Sequence, residues 1–209
     1  MSRRFVIVGT DTNVGKTIVA AALVGALDAS YWKPVQAGLD DETDSQAVAR
    51  LSGVTPSHIL PEAYRLRLAA SPHIAARAEG VRIDAARLAP PNCAGDLIIE
   101  TAGGVMVPLN DDLLTIDLLA QWGLPVILVA RTGLGTINHS LLTLEALRRR
   151  NVPVHGVVFV GDEKPETQRS IAVMGDARIL GRLPMLAPLT RETLRHAFDA
   201  AFVREDFIP

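Results

Sequence analysis

One short loop limits the fold of this chain more than any other feature of its sequence. It reads GTDTNVGKT at residues 9–17, and it lies between an apolar, β-branched run and a stretch with helical character. Glycines let such a loop curl until successive backbone N–H groups point at phosphate oxygens, and the N-terminus of the next helix adds its dipole. The strand–loop–helix context therefore indicates a P-loop.

Three residues of the loop have separate tasks in this interpretation. Gly15 permits the tight turn, Lys16 would neutralise the β- and γ-phosphates, and the Thr17 hydroxyl would ligate Mg²⁺. The spacing departs from the usual pattern, because five residues rather than four separate Gly9 from Gly15, and Thr10 stands where the first glycine is usual. The placement of the loop still predicts binding of a nucleoside triphosphate with Mg²⁺.

Apolar runs and helical patterns alternate along the rest of the chain. Runs rich in β-branched residues predict buried strands at residues 5–8, 96–99, 125–130 and 154–160, with weaker candidates at 29–35 and 178–183. Helices are predicted at residues 16–27, 44–51, 74–79, 113–121, 137–150, 165–174 and 191–203, whereas 40–68 is the least regular part. This order favours an α/β fold of the P-loop NTPase type, with a mostly parallel sheet, helices on both faces and a single domain over residues 1–209.

Composition excludes several classes of protein. The 21 basic and 23 acidic residues leave a formal net charge of −2, so the chain lacks the basic surface that a nucleic-acid binder needs. A single cysteine, Cys93, rules out an internal disulfide framework and fits a reducing cytosol. The N-terminus does not have the pattern of a signal peptide, and the longest apolar run, residues 18–27, is about half a membrane span. We therefore predict a soluble, cytoplasmic protein with no nucleic-acid or membrane partner.

A second lysine is expected to act together with the P-loop. Only three of the 21 basic residues are lysines. Lys16 follows the first predicted strand, and Lys33 lies at the carboxyl end of the second. Because parallel α/β sheets bind ligands at the carboxyl ends of their strands, both ammonium groups are predicted to face the ligand. Lysine offers a compact point charge at such a place, whereas arginine would offer a planar fork.

Two acidic residues are candidates for the metal site. Glu100 ends an apolar strand and precedes Thr101-Ala102-Gly103-Gly104, the Walker-B situation in which a carboxylate beside a P-loop holds the metal. Asp44 precedes a helical pattern, and a residue in that position is more often an N-cap than a metal ligand. A second glycine-rich helix entry, GLGTINH at 133–139, would offer free N–H groups to a carboxylate or a phosphate.

Seven segments in chain order carry a resemblance to a known family. They are GTDTNVGKT, YWKPVQAG, TDSQAV, ASPHIAA, IIETAGGVMVPL, PVILVARTGLGTINHSLLTLEAL and LGRLPML, which together span most of the chain. In these segments the chain resembles the dethiobiotin synthetases. The resemblance implies an ATP-dependent ligase of biotin biosynthesis that forms dethiobiotin, ADP and phosphate from 7,8-diaminopelargonate, CO₂ and ATP. It also implies a carbamate intermediate, its phosphorylation by ATP, and a homodimer in which the substrate carboxylate meets a helix N-terminus of the partner subunit.

The resemblance further implies a role for individual residues. Lys16 and Lys33 are the implied catalytic charge clamps, and Thr17, Asp44 and Glu100 are the implied Mg²⁺ ligands. The implied nucleotide-binding residues are Thr12, Asn13, Val14, Gly15, Lys16, Thr17, Ile18, Asp44, Glu100, Thr101, Ala102, Gly103, Gly161, Asp162 and Pro184. The implied substrate-binding residues are Thr12, Lys33, Ala37, Gly135, Thr136, Ile137 and Asn138.

Three positions depart from the pattern of that family. Asn13 stands where some relatives have an acid, and Ala37 stands where the KPVxxG segment often has a hydroxyl residue. Gly161 and Asp162 stand where relatives often have an Asn-Asp pair that reads the adenine. The last two departures concern recognition of the substrate and the base, and they do not touch the phosphate-transfer residues.

Two other functions share a P-loop on the same kind of sheet. The amidase-coupled synthases of cobalamin synthesis are much longer and carry a glutaminase domain with a nucleophilic cysteine, so the length of 209 residues argues against them. A nucleotide switch of the partition or septum-site type would carry a signature lysine four positions before Gly15, where this chain has Asp11. The sequence therefore favours the ligase.

Overall fold

The computed structural model describes residues 2–207. Its strands are β1 (Arg4–Gly9), β2 (Ser30–Trp32), β3 (Val35–Ala37), β4 (Ile59–Leu60), β5 (Tyr64–Leu66), β6 (Leu97–Gly104), β7 (Val126–Arg131), β8 (Val154–Val160) and β9 (Ile179–Leu183). Its helices are α1 (Lys16–Leu27), α2 (Asp44–Ser52), α3 (Pro72–Ala78), α4 (Thr115–Trp122), α5 (Thr136–Arg149), α6 (Pro165–Met174) and α7 (Arg191–Ala201). Strands and helices alternate through most of this length, in agreement with the pattern of the sequence.

Seven of the strands form one sheet in the order β4-β2-β6-β1-β7-β8-β9, and their pairings are parallel. A second, two-stranded parallel sheet pairs β3 with β5. The order of the large sheet brings the carboxyl ends of β2, β6 and β1 side by side at one edge, where folds of this class bind their ligands. The predicted parallel sheet of the P-loop NTPase type is confirmed.

Helices cover both faces of the large sheet. Successive residues of a strand point to opposite faces, so Ile7 of β1 joins a core with α1 and α7, while Val6 joins a core with α4 and α5. Burial on both faces explains why the central strands are apolar throughout and show no polar alternation. No α-helix between residues 2 and 207 has the length and apolar character that a bilayer crossing requires.

The predicted strand at 29–35 is divided in the structure. β2 ends at Trp32 and pairs in the large sheet, whereas β3 begins at Val35 and pairs with β5. Pro34 lies at the break because proline has no N–H with which to continue a ladder. The Pro34 carbonyl accepts a hydrogen bond from Tyr64 N at 3.1 Å, at the start of the pairing between β3 and β5. The division leaves Lys33 at the carboxyl edge of the large sheet.

The region 40–68, irregular in sequence, contains α2 and the short strands β4 and β5. α2 starts with a capping box, in which the Thr43 hydroxyl accepts from Gln46 N and the Gln46 side chain accepts from Thr43 N. Asp44 therefore lies in the first turn of a well-capped helix. Most other helix and strand bounds differ from prediction by one or two residues. The largest difference is in β6, which continues past Glu100 to Gly104, and the last helix ends at Ala201 instead of residue 203.

Candidate active site

A cleft of about 960 Å³ opens at the carboxyl ends of β1, β2 and β6. The predicted site residues that line it are Thr12, Asn13, Gly15, Lys16, Thr17, Ile18, Lys33, Ala37, Asp44, Glu100, Ala102 and Gly103. Asp41, Val107 and residues 69–72 complete the lining and had not been assigned a role from sequence. Residues 69–72 overlap the ASPHIAA segment, so a signal for them was present in the sequence.

The P-loop turns tightly before the first residue of α1. Gly15 has a φ of +99° and Asn13 a φ of +57°, both in the left-handed region. A Cβ atom on Gly15 would lie 2.9 Å from Val160 Cγ2, which is closer than a side chain tolerates. Gly15 is also the N-cap residue and has no side chain to cap α1, so the first N–H groups of the helix are available to phosphate oxygens. Lys16 Nζ donates to the Asp11 carbonyl across the loop at 2.8 Å.

Burial determines the protonation of Lys16. Desolvation lowers the pKa of its ammonium from 10.5 to about 8, although the negative charge of Glu100 acts in the opposite direction. The positive charge of Lys33 adds to the lowering. The free protein therefore begins to lose the Lys16 proton at a pH far below that of an ordinary lysine.

Nucleotide binding should consequently be linked to the protonation of Lys16. A polyphosphate favours the charged ammonium, so binding takes up a proton where the free protein has lost it, and nucleotide affinity falls as the pH rises through about 8. Calorimetric titration with ADP from about pH 7 to about pH 9, in buffers of different ionisation enthalpy, measures this uptake. Lys16→Arg is the control, because a guanidinium stays charged across the range. Equal proton uptake in that variant would assign the effect to another group.

Three oxygens converge beside the P-loop. Thr17 Oγ1 lies 2.8 Å from Asp44 Oδ1 and 2.9 Å from Glu100 Oε1. One hydroxyl proton serves only one of these two contacts at a time. A hydroxyl with two carboxylates is an oxygen donor set of the kind that Mg²⁺ prefers, so the residues fit this ion. Residues 2–207 contain no cluster of three or more His, Cys, Asp or Glu suited to a metal, so Mg²⁺ here would take further ligands from phosphates and water, as it usually does.

Lys33 bridges the two carboxylates. Its Nζ lies 2.6 Å from Asp44 Oδ2 and 3.2 Å from Glu100 Oε1, and its side chain is almost fully buried. Burial by itself would lower the pKa of Lys33, but the charges of Glu100 and Asp44 outweigh it and raise the pKa. Burial would likewise raise the pKa of Asp44, and the charge and hydrogen bond of Lys33 hold it below its usual value instead. Lys33 and Asp44 are therefore held in their charged forms beside Glu100, in one cluster at the floor of the cleft.

Tyr31 is the residue of this cluster that sequence reasoning missed. Its hydroxyl donates to Glu100 Oε2 at 2.9 Å from within β2. Burial, together with the charge of Glu100, raises the pKa of this phenol well above its usual value, so it remains a proton donor. An aromatic residue in an apolar strand is typical of core packing, and nothing in the local sequence connected it with Glu100.

Several predicted residues lie outside the lining of the cleft. The Val14 side chain is buried in the core, and Thr101 Oγ1 donates to the Ile7 carbonyl at 3.3 Å, so any contact of these two residues with a nucleotide would come from their backbone. The segment 135–138 contains the N-cap residue of α5, Gly135, with a φ of +91°, and the first turn of the helix. Within the described residues 2–207, this segment does not line the cleft of its own chain. The implied contact with the substrate bound to a partner subunit stays a prediction.

Gly161, Asp162 and Pro184 follow β8 and β9 and are likewise absent from the cleft lining in the described part of the chain. Gly161 has a φ of +125°, and a Cβ atom there would lie 2.5 Å from Thr132 Oγ1. Its carbonyl accepts from Arg182 Nη1 at 2.9 Å. A side chain at position 161 would therefore be strained by the backbone conformation and would require the Thr132 hydroxyl to shift. The role of this segment in base binding stays a prediction.

The fold is shared with solved ATPases of other functions. A ParA family ATPase from Chlorobium tepidum aligns with a TM-score of 0.56 at 14% identity, covering 96% of this chain and 92% of its own. The septum site-determining protein MinD from Pyrococcus horikoshii, solved as a complex with Mg-ADP, aligns with a TM-score of 0.56 at 15% identity, covering 94% and 86%. Identities this low show a common fold and nothing more about function.

Relatives found by sequence are far more similar. A family profile described as an AAA domain matches residues 3–193. The ATP-dependent dethiobiotin synthetase BioD of Agrobacterium fabrum (strain C58) is 60% identical over 208 residues, covering 100% of this chain and 98% of the relative. The protein of the same name from Rhodopseudomonas palustris (strain BisB18) is 58% identical over 207 residues, covering 99% of each. These identities extend over the whole length, and the chain has a P-loop at the carboxyl end of a central strand of its parallel sheet. The chain therefore belongs to the family of ATP-dependent dethiobiotin synthetases.

Proposed function

We propose that this chain closes the ureido ring of dethiobiotin from 7,8-diaminopelargonate and CO₂ at the expense of ATP, with release of ADP and phosphate. Its family is one of ATP-dependent ligases. The observation that carries the proposal is the meeting of two lysines, one hydroxyl and two carboxylates in a single cleft beside a P-loop. Such a set stabilises anions and transferring phosphoryl groups, and it includes no activated nucleophile, which suits a reaction in which the substrate's amines attack.

The proposed path has three steps. One amine of the substrate adds to CO₂ and forms a carbamate. ATP transfers its γ-phosphoryl group to a carbamate oxygen, which gives a mixed anhydride and ADP. The second amine then attacks the carbonyl carbon, and phosphate leaves as the ring closes. Because negative charge develops at each stage, the site must supply positive charge and N–H dipoles at fixed positions.

The P-loop and the oxygen cluster would serve the nucleotide. Backbone N–H groups at 12–18 and the Lys16 ammonium would hold the phosphates. Thr17, Asp44 and Glu100 would hold Mg²⁺, because their oxygens already converge. Bound there, Mg²⁺ would neutralise charge on the phosphoryl oxygens.

Lys33 would serve the carbamate. An ammonium has three N–H donors, and Asp44 and Glu100 engage two of them. The third is then available to an anion in the cleft that Lys33 lines. β2 and β1 are separated in the sheet by β6 alone, so Lys33 and the P-loop face the same space from two sides.

The substrate carboxylate would be held by a second copy of the chain. Gly135 is the N-cap residue of α5, and Thr136, Ile137 and Asn138 form its first turn. Free N–H groups at a helix N-terminus bind carboxylates. We therefore propose a homodimer, each chain acting as one domain over residues 1–209, in the cytoplasm. Light scattering behind size-exclusion chromatography measures the mass of the assembly, and a monomer under assay conditions would contradict this part of the proposal.

Product analysis tests the function directly. The purified protein, with diaminopelargonate, bicarbonate, ATP and Mg²⁺, should form dethiobiotin, ADP and phosphate. Omission of diaminopelargonate or of bicarbonate should stop ATP hydrolysis. Hydrolysis that continues without both, and responds to another protein or to a membrane surface, would indicate a nucleotide switch and contradict the proposal.

We expect weak selectivity for the nucleotide base. Discrimination requires polar groups that pair with the right base edge and are left unpaired by the wrong one. Gly161 has no side chain that could pair with a base edge. Other nucleoside triphosphates should therefore support turnover within about tenfold of ATP, equivalent to about 1.4 kcal/mol. An ATP preference of about 10³-fold would show that another residue reads the base.

A further inference from the structure

Tyr31 connects the protein core with the proposed metal site. It lies in the middle of β2 with no exposed surface, and its hydroxyl donates to Glu100 Oε2 at 2.9 Å. The other oxygen of the same carboxylate, Oε1, lies 2.9 Å from Thr17 Oγ1 and 3.2 Å from Lys33 Nζ. The two oxygens of Glu100 thus have separate surroundings, because Oε2 is held by the core and Oε1 by groups of the cleft.

The Glu100 carboxylate has no strong reason to keep this orientation without Tyr31. The terminal torsion of a glutamate side chain is broad. The single Thr17 proton is divided between Glu100 and Asp44, and Lys33 lies closer to Asp44, at 2.6 Å, than to Glu100, at 3.2 Å. Within residues 2–207, Thr17 and Lys33 are shared between Glu100 and Asp44, whereas the Tyr31 hydroxyl donates to Glu100 and to no other acceptor.

Loss of the phenol hydroxyl would turn the carboxylate. Glu100 is 1% exposed, so Oε2 would become a buried anionic oxygen without a donor, and water cannot easily replace it. The carboxylate would recover a hydrogen bond by rotating Oε2 toward Lys33 or Thr17 on the cleft side. That rotation would move Oε1 from its place beside Thr17 and Asp44, where the oxygens now converge.

We propose that Tyr31 is a positioning residue of the magnesium site, which holds Glu100 Oε2 so that Oε1 stays aimed at the metal. The inference deepens the proposed function and rests on it, because it takes Glu100 as a Mg²⁺ ligand. Hydrogen-bond partners behind metal ligands typically contribute about 10- to 100-fold to metal affinity or activity. Tyr31 itself touches neither nucleotide nor substrate in this arrangement and acts through Glu100.

The variant Tyr31→Phe removes the hydroxyl and keeps the ring. Calorimetry gives the Kd of ADP in Mg²⁺ and in EDTA, and the ratio of the two constants measures the gain in affinity due to the metal. We expect this ratio to fall by about tenfold in Tyr31→Phe, while the Kd in EDTA stays near the wild-type value. In the assay, kcat should fall while KM for diaminopelargonate changes little.

The chain provides a matched control in its second and last tyrosine, Tyr64. This residue is also buried, and its hydroxyl accepts a hydrogen bond from Asp84 N at 2.9 Å, away from the cleft. Tyr64→Phe should leave the Mg²⁺ ratio unchanged. A wild-type ratio in Tyr31→Phe, or an equal fall in Tyr64→Phe, would overturn the inference.

A double-mutant cycle tests the route through Glu100. In a Glu100→Gln background, Tyr31→Phe should reduce the Mg²⁺ ratio by far less than in the wild type, because the ligand that it positions has already been altered. The same reduction in both backgrounds would overturn the inference. The wild-type measurements separate the failure of this inference from the failure of the proposed function. If Mg²⁺ does not increase ADP affinity in the unmodified protein, the metal assignment itself is refuted. If Mg²⁺ increases ADP affinity equally in the wild type and in Tyr31→Phe, only the role of Tyr31 is refuted.

Discussion

Lys33→Gln should lower kcat by about 10³-fold while the Kd of the nucleotide stays near the wild-type value. The negative charge that Lys33 is proposed to hold appears after CO₂ has added and as phosphate begins to transfer. An interaction that strengthens in the transition state is lost from kcat rather than from ground-state binding. Calorimetry for Kd and steady-state kinetics for kcat, on the same preparation and at saturating Mg²⁺, give the two numbers.

Two companion variants sharpen this experiment. Lys33→Arg should restore little activity, because a planar fork does not replace a compact ammonium between Asp44 and Glu100. Lys164→Gln, a change at the third lysine of the chain, which is exposed, should have no effect on kcat. If instead the nucleotide Kd of Lys33→Gln rises steeply and kcat survives at saturating nucleotide, Lys33 is a phosphate anchor and the assignment to the carbamate is wrong.

The structure adds a stability effect to the Lys33→Gln experiment. Lys33 separates two carboxylates, of which Glu100 is fully buried, and glutamine would leave their charges uncompensated. Breaking a buried pair from one side typically costs about 3–5 kcal/mol. The thermal midpoint of the variant should therefore be measured first, and the assay temperature kept well below it, so that lost turnover is not confused with unfolding.

Thr17→Val and Glu100→Gln should each lower kcat by about 10²-fold or more. Thr17→Val removes the hydroxyl oxygen from the converging set, and Glu100→Gln replaces a carboxylate with a neutral amide. Both changes keep the approximate size of the side chain. The loss should be largest when Mg²⁺ is limiting, so turnover is measured as a function of Mg²⁺ concentration at fixed ATP.

A threonine elsewhere controls for the loss of a buried hydroxyl. Thr143 Oγ1 donates to the His139 carbonyl within α5 at 2.7 Å, away from the cleft, and Thr143→Val should leave the Mg²⁺ dependence of turnover unchanged. Wild-type turnover in both Thr17→Val and Glu100→Gln at limiting Mg²⁺ would remove these two residues from the metal site.

Local signals in the sequence were enough to predict the P-loop and the general architecture. The roles of Gly15, Lys16 and Thr17 depend on neighbours within one loop and one helix turn, so contiguous sequence carries them. The parallel sheet was predicted from apolar runs that alternate with helical patterns, because a strand buried on both faces is apolar along its whole length. The helix that begins at Asp44 was also predicted from its local pattern. The break at Pro34 depends on strand pairing, and the sequence pattern joined β2 and β3 into one strand.

Tertiary structure decided how the candidate site is assembled. Lys33 meets Glu100 across 67 positions of the chain because the sheet places β2 beside β6. Thr17 meets Asp44 across 27 positions because α2 packs against α1. Chain order does not contain that strand order, so the resemblance could assign these residues to one site but could not show that Lys33 bridges the carboxylates. Tyr31 lay beyond sequence reasoning for the same reason: an aromatic residue in an apolar strand has no recognisable partner until the fold brings Glu100, on another strand, within reach of its hydroxyl.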